Sequence, residues 1–297
     1  MEIIKMPQAT EFDYFSLLEY ISKIKISTEN REHSIEIMNK YVEYMELFFK
    51  YDTDIQKLFL IYSFYEEIKE SNLIENHIVY PEEVLKGNYY IDDFNISHER
   101  IKELHDFIQR GTDEYGYRTV PAWVRMLSKE KEIIYWYGAK PKDINKFMDE
   151  FIELYKIKSL SNNIFIECMI IHLLFMKIHP FKDGNGRTAR LITNVKFAEV
   201  SNRLFNSNLK ISPLHLSHSI YRNRETYNKR LNNVYFDLEH DNNESINKYV
   251  KYMLDMYDEQ LFYMGNLLKE SETALANAML LKNDGFSNDD IVKCLVL

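Results

Sequence analysis

The amino-acid sequence predicts an all-α protein that carries one small β-hairpin. Its 297 residues include only 8 Gly and 6 Pro, and apolar residues recur at helical spacing along most of the chain. Folds built from many short strands need Gly and Pro at frequent turns, so this scarcity favours long helices. With 45% hydrophobic residues, a chain of this length can bury a substantial core.

Apolar residues at i, i+3 and i+4 spacing predict helices in several segments. These segments are 56–79, 97–111, 141–157, 163–178, 187–205, 211–238 and 245–270. The stretch 164–178, IFIECMIIHLLFMKI, is apolar on nearly every side, which predicts a helix at the centre of the core. Ser97 and Gly111 suit the N-cap and the C-cap of the second helix.

Two segments depart from this pattern. Thr, Val, Trp, Ile and Tyr concentrate on both sides of a polar centre in 115–141, which predicts the β-hairpin. We expect Trp123 and Trp136, in this hairpin, to pack against it instead of contacting a partner. The last segment, 271–297, predicts short apolar helices around a Gly-containing turn.

Charge and cysteine content restrict the class of protein. The 37 basic and 46 acidic residues give a net charge of −9, which repels a phosphate backbone and makes nucleic acid an improbable partner. Cys168 and Cys294 show neither zinc-site spacing nor a disulfide framework, which fits a reducing cytoplasm. The N-terminal sequence lacks the pattern of a secretory signal, and no apolar stretch reaches the roughly 20 residues of a membrane span.

The segment 179–190, HPFKDGNGRTAR, follows the apolar stretch directly and is rich in polar groups. Gly184, Asn185 and Gly186 stand where the next helix begins, so consecutive backbone N–H groups can converge on an anion. Arg187 and Arg190 lie on one face of that helix, where both guanidinium groups can bind phosphate oxygens. The segment therefore predicts a phosphate cradle that suits a triphosphate.

Two more residues of this segment bring reactive groups. Asp183 offers the hard oxygen ligands that Mg²⁺ prefers, and His179 can accept the proton of an attacking hydroxyl near neutral pH. Together with the cradle they predict a site for phosphoryl or nucleotidyl transfer. The stretch GNGRTA also fits a loose dinucleotide-binding pattern, but a helix precedes it where that fold has a strand. No Lys follows the glycines, which excludes a P-loop.

The same segment resembles the signature of the Fic family, H-P-F-x-D/E-G-N-G-R-x-x-R, at every defined position. The similarity extends over about residues 71–253. It implies a Fic-type helical bundle with a β-hairpin flap, here near 115–141. It also implies an enzyme that transfers AMP from ATP to a Ser, Thr or Tyr hydroxyl of a target protein.

The resemblance implies a role for each residue of the signature. His179 would be the general base, and Asp183 would bind Mg²⁺. Asn185 and the glycines on either side would hold the α- and β-phosphates of ATP. Arg187 would contact phosphate, and Arg190 would bind the γ-phosphate.

Two further parts of the site follow from the resemblance alone. The flap residues Ile133, Ile134 and Tyr135 would dock the backbone of the target as an added strand. The family's Tyr-Tyr-x-x-Leu helix near the adenine is matched by YNKRL, which begins at Tyr227 and has Asn228 at the second Tyr position.

The segment 71–76, SNLIEN, resembles the inhibitory pattern of the family, S/T-x-x-x-E-G/N, through Ser71, Glu75 and Asn76. Glu75 can form a bidentate ion pair with Arg190 and so compete with the γ-phosphate of ATP. We therefore expect a self-restrained enzyme.

The sequence predicts three consecutive parts. They are an N-terminal helical region over 1–90 that includes 71–76, a Fic catalytic core over 91–265, and a C-terminal helical extension over 266–297. The main interpretation is a cytoplasmic protein adenylyltransferase that depends on ATP and Mg²⁺. Removal of AMP from a target, transfer of another nucleotide or phosphate group, and nucleotide sensing without catalysis are the alternatives. Self-modification and a homo-oligomer are also open.

Three other histidines have simpler interpretations. His172 lies in the apolar helix, which predicts a hydrogen-bonded core residue. His215 and His218 form an H-x-x-H pair without an accompanying acid or cysteine pattern, so metal binding there is not expected.

Overall fold

The computed structural model describes residues 2–5, 16–75, 95–109, 116–127, 131–157, 163–239, 242–285 and 287. Ten α-helices dominate these residues, which confirms the predicted all-α class. They are α1 (Leu17–Ser22), α2 (Thr28–Phe48), α3 (Thr53–Ile74), α4 (His98–Gln109), α5 (Ile144–Lys156), α6 (Ile164–Ile178), α7 (Asn185–Phe205), α8 (Ser217–Arg222), α9 (Arg224–Glu239) and α10 (Glu244–Asn283). A 3-10 turn, Pro141–Asp143, leads into α5.

The predicted hairpin is present within a small sheet. Strands β2 (Trp123–Leu127) and β3 (Lys131–Tyr137) pair in antiparallel fashion. A further strand, β1 (Glu2–Lys5), pairs with β3 in parallel orientation, so the strand order is β1-β3-β2. The hairpin was predicted from its composition, whereas β1 was not predicted.

Local sequence explains how α6 forms and why it is central. The side chain of Asn163 caps its N-terminus, where its Oδ1 accepts hydrogen bonds from the N–H groups of Phe165 and Ile166 at 3.0 and 3.4 Å. Every residue of α6 is buried, as the all-round apolar sequence predicted. Phe175 on this helix meets Phe151 of α5 edge to face at 5.5 Å.

The second predicted helix also begins as expected. The hydroxyl oxygen of Ser97 accepts a hydrogen bond from the N–H of Arg100 at 3.1 Å, so Ser97 caps α4. The predicted C-cap, Gly111, lies outside the described residues.

The structure corrects three sequence predictions. Residues 2–5 form β1, although the N-terminal region was predicted to be helical. The segment 211–238, predicted as a single helix, forms two helices that meet at Asn223. The first of them begins at Ser217, after Pro213. The helix predicted to end at 270 continues as α10 to Asn283, because Ala, Leu and Met in 271–283 favour helix.

The turn predicted near the C-terminus is present at Gly285, which has a φ of 93°. The apolar helix predicted to follow it lies outside the described residues.

The chain divides into two compact units that interleave along the sequence. The first contains Met1–His33, Asn95–Thr193 and Glu225–Met253, and the second contains Ser34–Phe94, Asn194–Arg224 and Leu254–Leu297. The division into consecutive parts at 90 and 265 stays a prediction.

The helix that carries the predicted inhibitory segment belongs to the second unit. There α3 packs against α8 and is buried on most sides. Within the described part of the chain, no helix combines the length and the apolar character that crossing a membrane requires.

Candidate active site

The backbone turns sharply at His179, the residue that ends α6. His179 adopts the left-handed conformation, with φ 53° and ψ 58°, and its N–H donates to the carbonyl of Phe175 at 3.0 Å. A residue other than Gly rarely adopts this conformation, and where one does, the surrounding structure holds it there. The turn ends the buried helix and leaves the His179 side chain half-buried.

The tautomer of His179 follows from one hydrogen bond. Its Nδ1 lies 3.3 Å from the carbonyl oxygen of Met176. A carbonyl only accepts, so Nδ1 carries the proton and Nε2 of the neutral ring has the lone pair. This nitrogen is the one that can act as a base.

Arg118 fixes the backbone around His179, a role that the sequence did not reveal. Its buried guanidinium donates to the carbonyl oxygens of His179 at 2.7 Å, Val120 at 2.8 Å and Ala139 at 2.6 Å. The N–H of Ala139 in turn donates to the carbonyl of Ile178 at 3.0 Å. Arg118 therefore joins the loop before the hairpin, the end of the hairpin and the end of α6.

The close approach at Gly138 shows how tightly these segments meet. A Cβ at this position would lie 2.8 Å from both the Arg118 guanidinium and the Cβ of His179. Only Gly fits between them. Burial lowers the pKa of Arg118 to about 10, so the guanidinium keeps its charge at neutral pH.

Phe181 and Asn185 close the loop between α6 and α7. The N–H of Phe181 donates to Oδ1 of Asn185 at 2.9 Å, and Nδ2 of Asn185 donates to the carbonyl of Phe181 at 2.8 Å. Both side chains are buried. Because the amide of Asn185 is used within the loop, a phosphate contact by this residue would use its backbone N–H at the start of α7.

Helix α4 supports this loop through an aromatic stack. The ring of His105 lies parallel to the ring of Phe181, with centroids 3.7 Å apart, and its Nε2 donates to the carbonyl of Asp183 at 3.0 Å. Burial lowers the pKa of His105, which favours the neutral ring. Sequence analysis did not identify His105, whose partners come from a segment distant in the chain.

Gly184 sits at the point where the loop enters α7. Its φ is 74°, and a Cβ here would lie 2.2 Å from Nε2 of Gln109. Its carbonyl accepts from both the N–H and the hydroxyl of Thr188 at 2.9 Å, which begins the helix. Gly186 is the second residue of α7. These glycines leave the first backbone N–H groups of α7 close to the loop, as a phosphate cradle requires.

Asp183 and Arg187 form an ion pair beside the cradle. Nη2 of Arg187 lies 3.3 Å from Oδ2 of Asp183 and donates to Oε1 of Gln109 at 3.2 Å. The side chain of Arg187 is 5% exposed and that of Asp183 is 75% exposed. The carboxylate is thus open to an ion from solvent and has the oxygen ligands that Mg²⁺ prefers.

Arg190 lies one turn further along α7 and is buried. Burial of His172, and to a smaller extent the positive charge of Arg190, lowers the pKa of His172 to about 3. His172 is therefore neutral, and its position in the core is as predicted.

The neutral ring of His172 takes part in a directed hydrogen-bond chain. The hydroxyl of Tyr227 lies 2.5 Å from Nε2, and Oγ1 of Thr193 lies 3.4 Å from Nδ1. Thr193 uses its own proton on the carbonyl of Ala189 at 2.8 Å, so Nδ1 of His172 must donate and Nε2 must accept. The chain links α6, α7 and α9.

Tyr227 is only 2% exposed. An adenine base could stack on its ring only if neighbouring side chains moved aside. Its place in the nucleotide pocket stays a prediction.

The predicted flap residues lie in β3, whose backbone is paired on both sides. Ile133 and Ile134 are opposite Ile4 and Lys5 of β1, and β2 pairs along the other edge. Tyr135 lies beyond the pairing with β1. Trp136 is buried against Tyr235, with ring centroids 4.8 Å apart, as the packing role predicted.

Trp123 departs from that packing role in part. Its ring meets Tyr137 at 6.3 Å, but 37% of the residue is exposed.

The predicted inhibitory residues lie in the second unit. Ser71 is buried in α3, and Glu75 caps the C-terminus of that helix with its N–H donated to the carbonyl of Asn72 at 2.9 Å. Asn76 lies outside the described residues. His215 and His218 contact Ser63 and Glu70 of α3 at 3.2 and 2.6 Å.

Comparison with known proteins finds one family model and several solved structures that this chain resembles. A family model described as Fic/DOC family matches residues 95–196. A Fic family protein from Desulfovibrio desulfuricans G20 superposes with a TM-score of 0.58 at 17% identity, over 93% of this chain and 86% of that one. Fic-1 from C. elegans gives a TM-score of 0.58 at 16% identity, over 82% of this chain and 74% of that one. At these identities the two structures show a shared fold.

Proposed function

Since this chain carries a Fic/DOC family domain over residues 95–196, we propose that it is a protein adenylyltransferase. It would transfer AMP from ATP to a Ser, Thr or Tyr hydroxyl of a target protein. The observation that supports this best is the hydrogen bond from Nδ1 of His179 to Met176, which puts the basic lone pair on Nε2. Along the chain this base is followed by a glycine-lined helix start and then by two arginines of α7.

The proposed reaction is a single displacement at the α-phosphorus of ATP. A bond forms between the target oxygen and this phosphorus, while the bond to the bridging oxygen of the leaving pyrophosphate breaks. The proton of the target hydroxyl passes to Nε2 of His179. A positioned base of this kind typically contributes a factor of about 10²–10⁴ in rate.

The remaining residues would bind and orient the triphosphate. The first N–H groups of α7, at Asn185 and Gly186, would cradle phosphate oxygens, and the guanidinium groups of Arg187 and Arg190 would compensate their charge. Asp183, whose carboxylate is exposed, would hold Mg²⁺. When bound, this ion would neutralise charge on the phosphate oxygens.

The same proposal includes restraint by Glu75. The support is the sequence pattern SNLIEN together with the position of Glu75 at the end of α3, where the residue is only partly buried. A carboxylate that pairs with Arg190 would compete with the γ-phosphate, so that ATP would bind in an unproductive pose.

Transfer of label from α-phosphate-labelled ATP tests the proposal. Wild type and the variants Glu75→Gly, His179→Ala and Lys182→Ala are each incubated with Mg²⁺ and a cell lysate. We expect strong protein label with Glu75→Gly and weak label with wild type. His179→Ala should label about 100-fold less than wild type, or less still. Lys182 is exposed in the same loop, so Lys182→Ala serves as the control and should match wild type.

Other results would favour other functions. Label that comes from UTP but not from ATP would mean transfer of a different group. Loss of label from a previously modified target would mean removal of AMP. Nucleotide binding without label in any variant would mean a sensing protein and would refute the proposed transfer.

A further inference from the structure

Strand β3 of the flap is paired along both edges in this chain. On one side β2 forms the other half of the hairpin, and on the other side β1 pairs in parallel orientation from Glu2↔Lys131 to Lys5↔Ile134. A strand has only two edges, so an extended segment from another protein has no free edge of β3 along 131–134. The N-terminal residues of the chain occupy that place.

The end of β3 lies close to His179. β3 ends at Tyr137, and the next residue, Gly138, makes the close approach to the Cβ of His179. From Ile134 to Gly138 is four residues, or about 13 Å of extended chain. Because β1 runs parallel to β3, both strands point to this end.

The pairing of β1 has the character of a contact that can be exchanged. It involves four residues, which is short for a strand, and parallel pairs are slightly less stable per residue than antiparallel ones. Its partner is distant in the chain, so forming it also closes a long loop at an entropic cost. Another extended segment could therefore replace β1 without disrupting the hairpin.

We propose that β1 is a built-in competitor for the target, held on the edge of the flap where a target segment adds as a strand. The proposal rests on the proposed adenylyltransferase function and extends it to the choice of partner. The partner is a protein that presents its hydroxyl in an extended loop or tail, because only such a segment can take the place of β1. Displacement of β1 is then part of target binding.

Hydrogen exchange of the whole chain tests the pairing of β1 with β3 without an activity assay. Neighbouring N–H groups of a strand point to opposite sides, so one of Ile3 and Ile4 points its N–H towards β3. The double variant Ile3→Pro/Ile4→Pro removes that donor, whichever of the two residues carries it. We expect those amides of 131–134 that point towards β1, and not those that point towards β2, to exchange about tenfold faster, the factor that corresponds to about 1.4 kcal/mol. The control Ile3→Val/Ile4→Val keeps strand-forming side chains and should exchange like wild type. Unchanged exchange in the proline variant would overturn the proposal.

Label transfer tests the competition. In the Glu75→Gly background and at limiting lysate, the proline variant should label lysate proteins about tenfold more strongly than the valine control, because no binding free energy is used to displace β1. The difference should vanish at high lysate concentration, since a competitor changes binding and not the chemical step. Faster exchange with equal labelling at limiting lysate would show that targets do not use this edge. Absence of label from both variants and from Glu75→Gly alone would count against the adenylyltransferase itself, while exchange would still decide whether β1 pairs.

Discussion

Replacing Arg118 by Met should destabilise the protein and, with it, reduce the proposed AMP transfer. The substitution keeps the length of the side chain but removes all of its donors. In the wild type those donors meet carbonyls of three separate segments, at His179, Val120 and Ala139, within 2.6–2.8 Å. Loss of the guanidinium leaves these carbonyls to be solvated by water or left unpaired.

The magnitude follows from the number and burial of these bonds. A buried carbonyl without a partner costs about 1–3 kcal/mol. The bond to Ala139 is buried and those to His179 and Val120 are part-buried, so about 3–9 kcal/mol is an upper range for the three. Two effects reduce it: water can reach part of the site, and the cost of burying the charge, which lowers the pKa of Arg118 to about 10, disappears with the side chain. We therefore expect Arg118→Met to lower the free energy of unfolding by about 2–4 kcal/mol.

Urea unfolding, followed by circular dichroism, measures this difference. The free energy of unfolding of Arg118→Lys should lie between those of Arg118→Met and the wild type, because one ammonium group cannot donate to three carbonyls as the forked guanidinium of Arg does. Arg100→Met is the matched control, since Arg100 forms a surface ion pair with Glu103 at 3.1 Å on the same helix and should change stability by less than about 0.5 kcal/mol. If Arg118→Met and Arg100→Met unfold at the same urea concentration, Arg118 does not hold the loop as described.

Three further predictions test other parts of the structure. Gly184→Ala should destabilise the protein by about 1–3 kcal/mol in urea unfolding, because its φ is 74° and a side chain is strained there. The side chain of Gln109, which the new Cβ meets, can move aside. An unchanged unfolding midpoint would contradict this turn geometry. Glu67→Ala should lower the free energy of unfolding by about 2–4 kcal/mol in the same assay, and Glu67→Gln should lower it less. The buried carboxylate of Glu67 accepts three hydrogen bonds, from Nδ2 of Asn194 at 3.0 Å and from the N–H and the hydroxyl of Ser217 at 2.9 and 2.7 Å. His172 has a pKa near 3 in the folded protein and near 6.5 in the unfolded chain, so the free energy of unfolding should decrease as pH falls from about 6.5 towards 3, by up to about 1.4 kcal/mol per pH unit. The variant His172→Gln should show a shallower dependence of the unfolding free energy on pH. Equal slopes for variant and wild type would mean that His172 is charged in the folded protein.

The sequence predicted best those features that depend on neighbouring residues. Helix α6 matches the apolar stretch 164–178 at both ends, because Asn163 supplies a cap and the polar segment after Ile178 stops the apolar pattern. The hairpin followed from β-forming residues around a polar centre. Helix α10 was predicted too short because residues after 270 were assigned to separate short helices, and helical propensity alone does not show whether two helical segments join.

Features that depend on distant contacts could not be predicted in this way. Strand β1 has four residues, and only its pairing with β3 defines it as a strand. Arg118 is one of many basic residues in the sequence. Its role exists only because three carbonyls from separate segments converge on it, and no local pattern records that convergence.

Asn185 shows that a motif does not specify which atoms of a residue are available to a ligand. The sequence predicted that its backbone N–H would join the phosphate cradle, and the resemblance assigned the residue to the α- and β-phosphates without naming the atoms. In the structure that amide pairs with both backbone groups of Phe181, so it shapes the loop. An Asn at the first turn of a helix commonly bonds to nearby backbone, which is the signal that sequence analysis could have used. Under the proposed function, anion binding at the start of α7 would then depend on backbone N–H groups. A change of side chain at Asn185 should therefore act on phosphate binding through the shape of the loop and not through a lost contact.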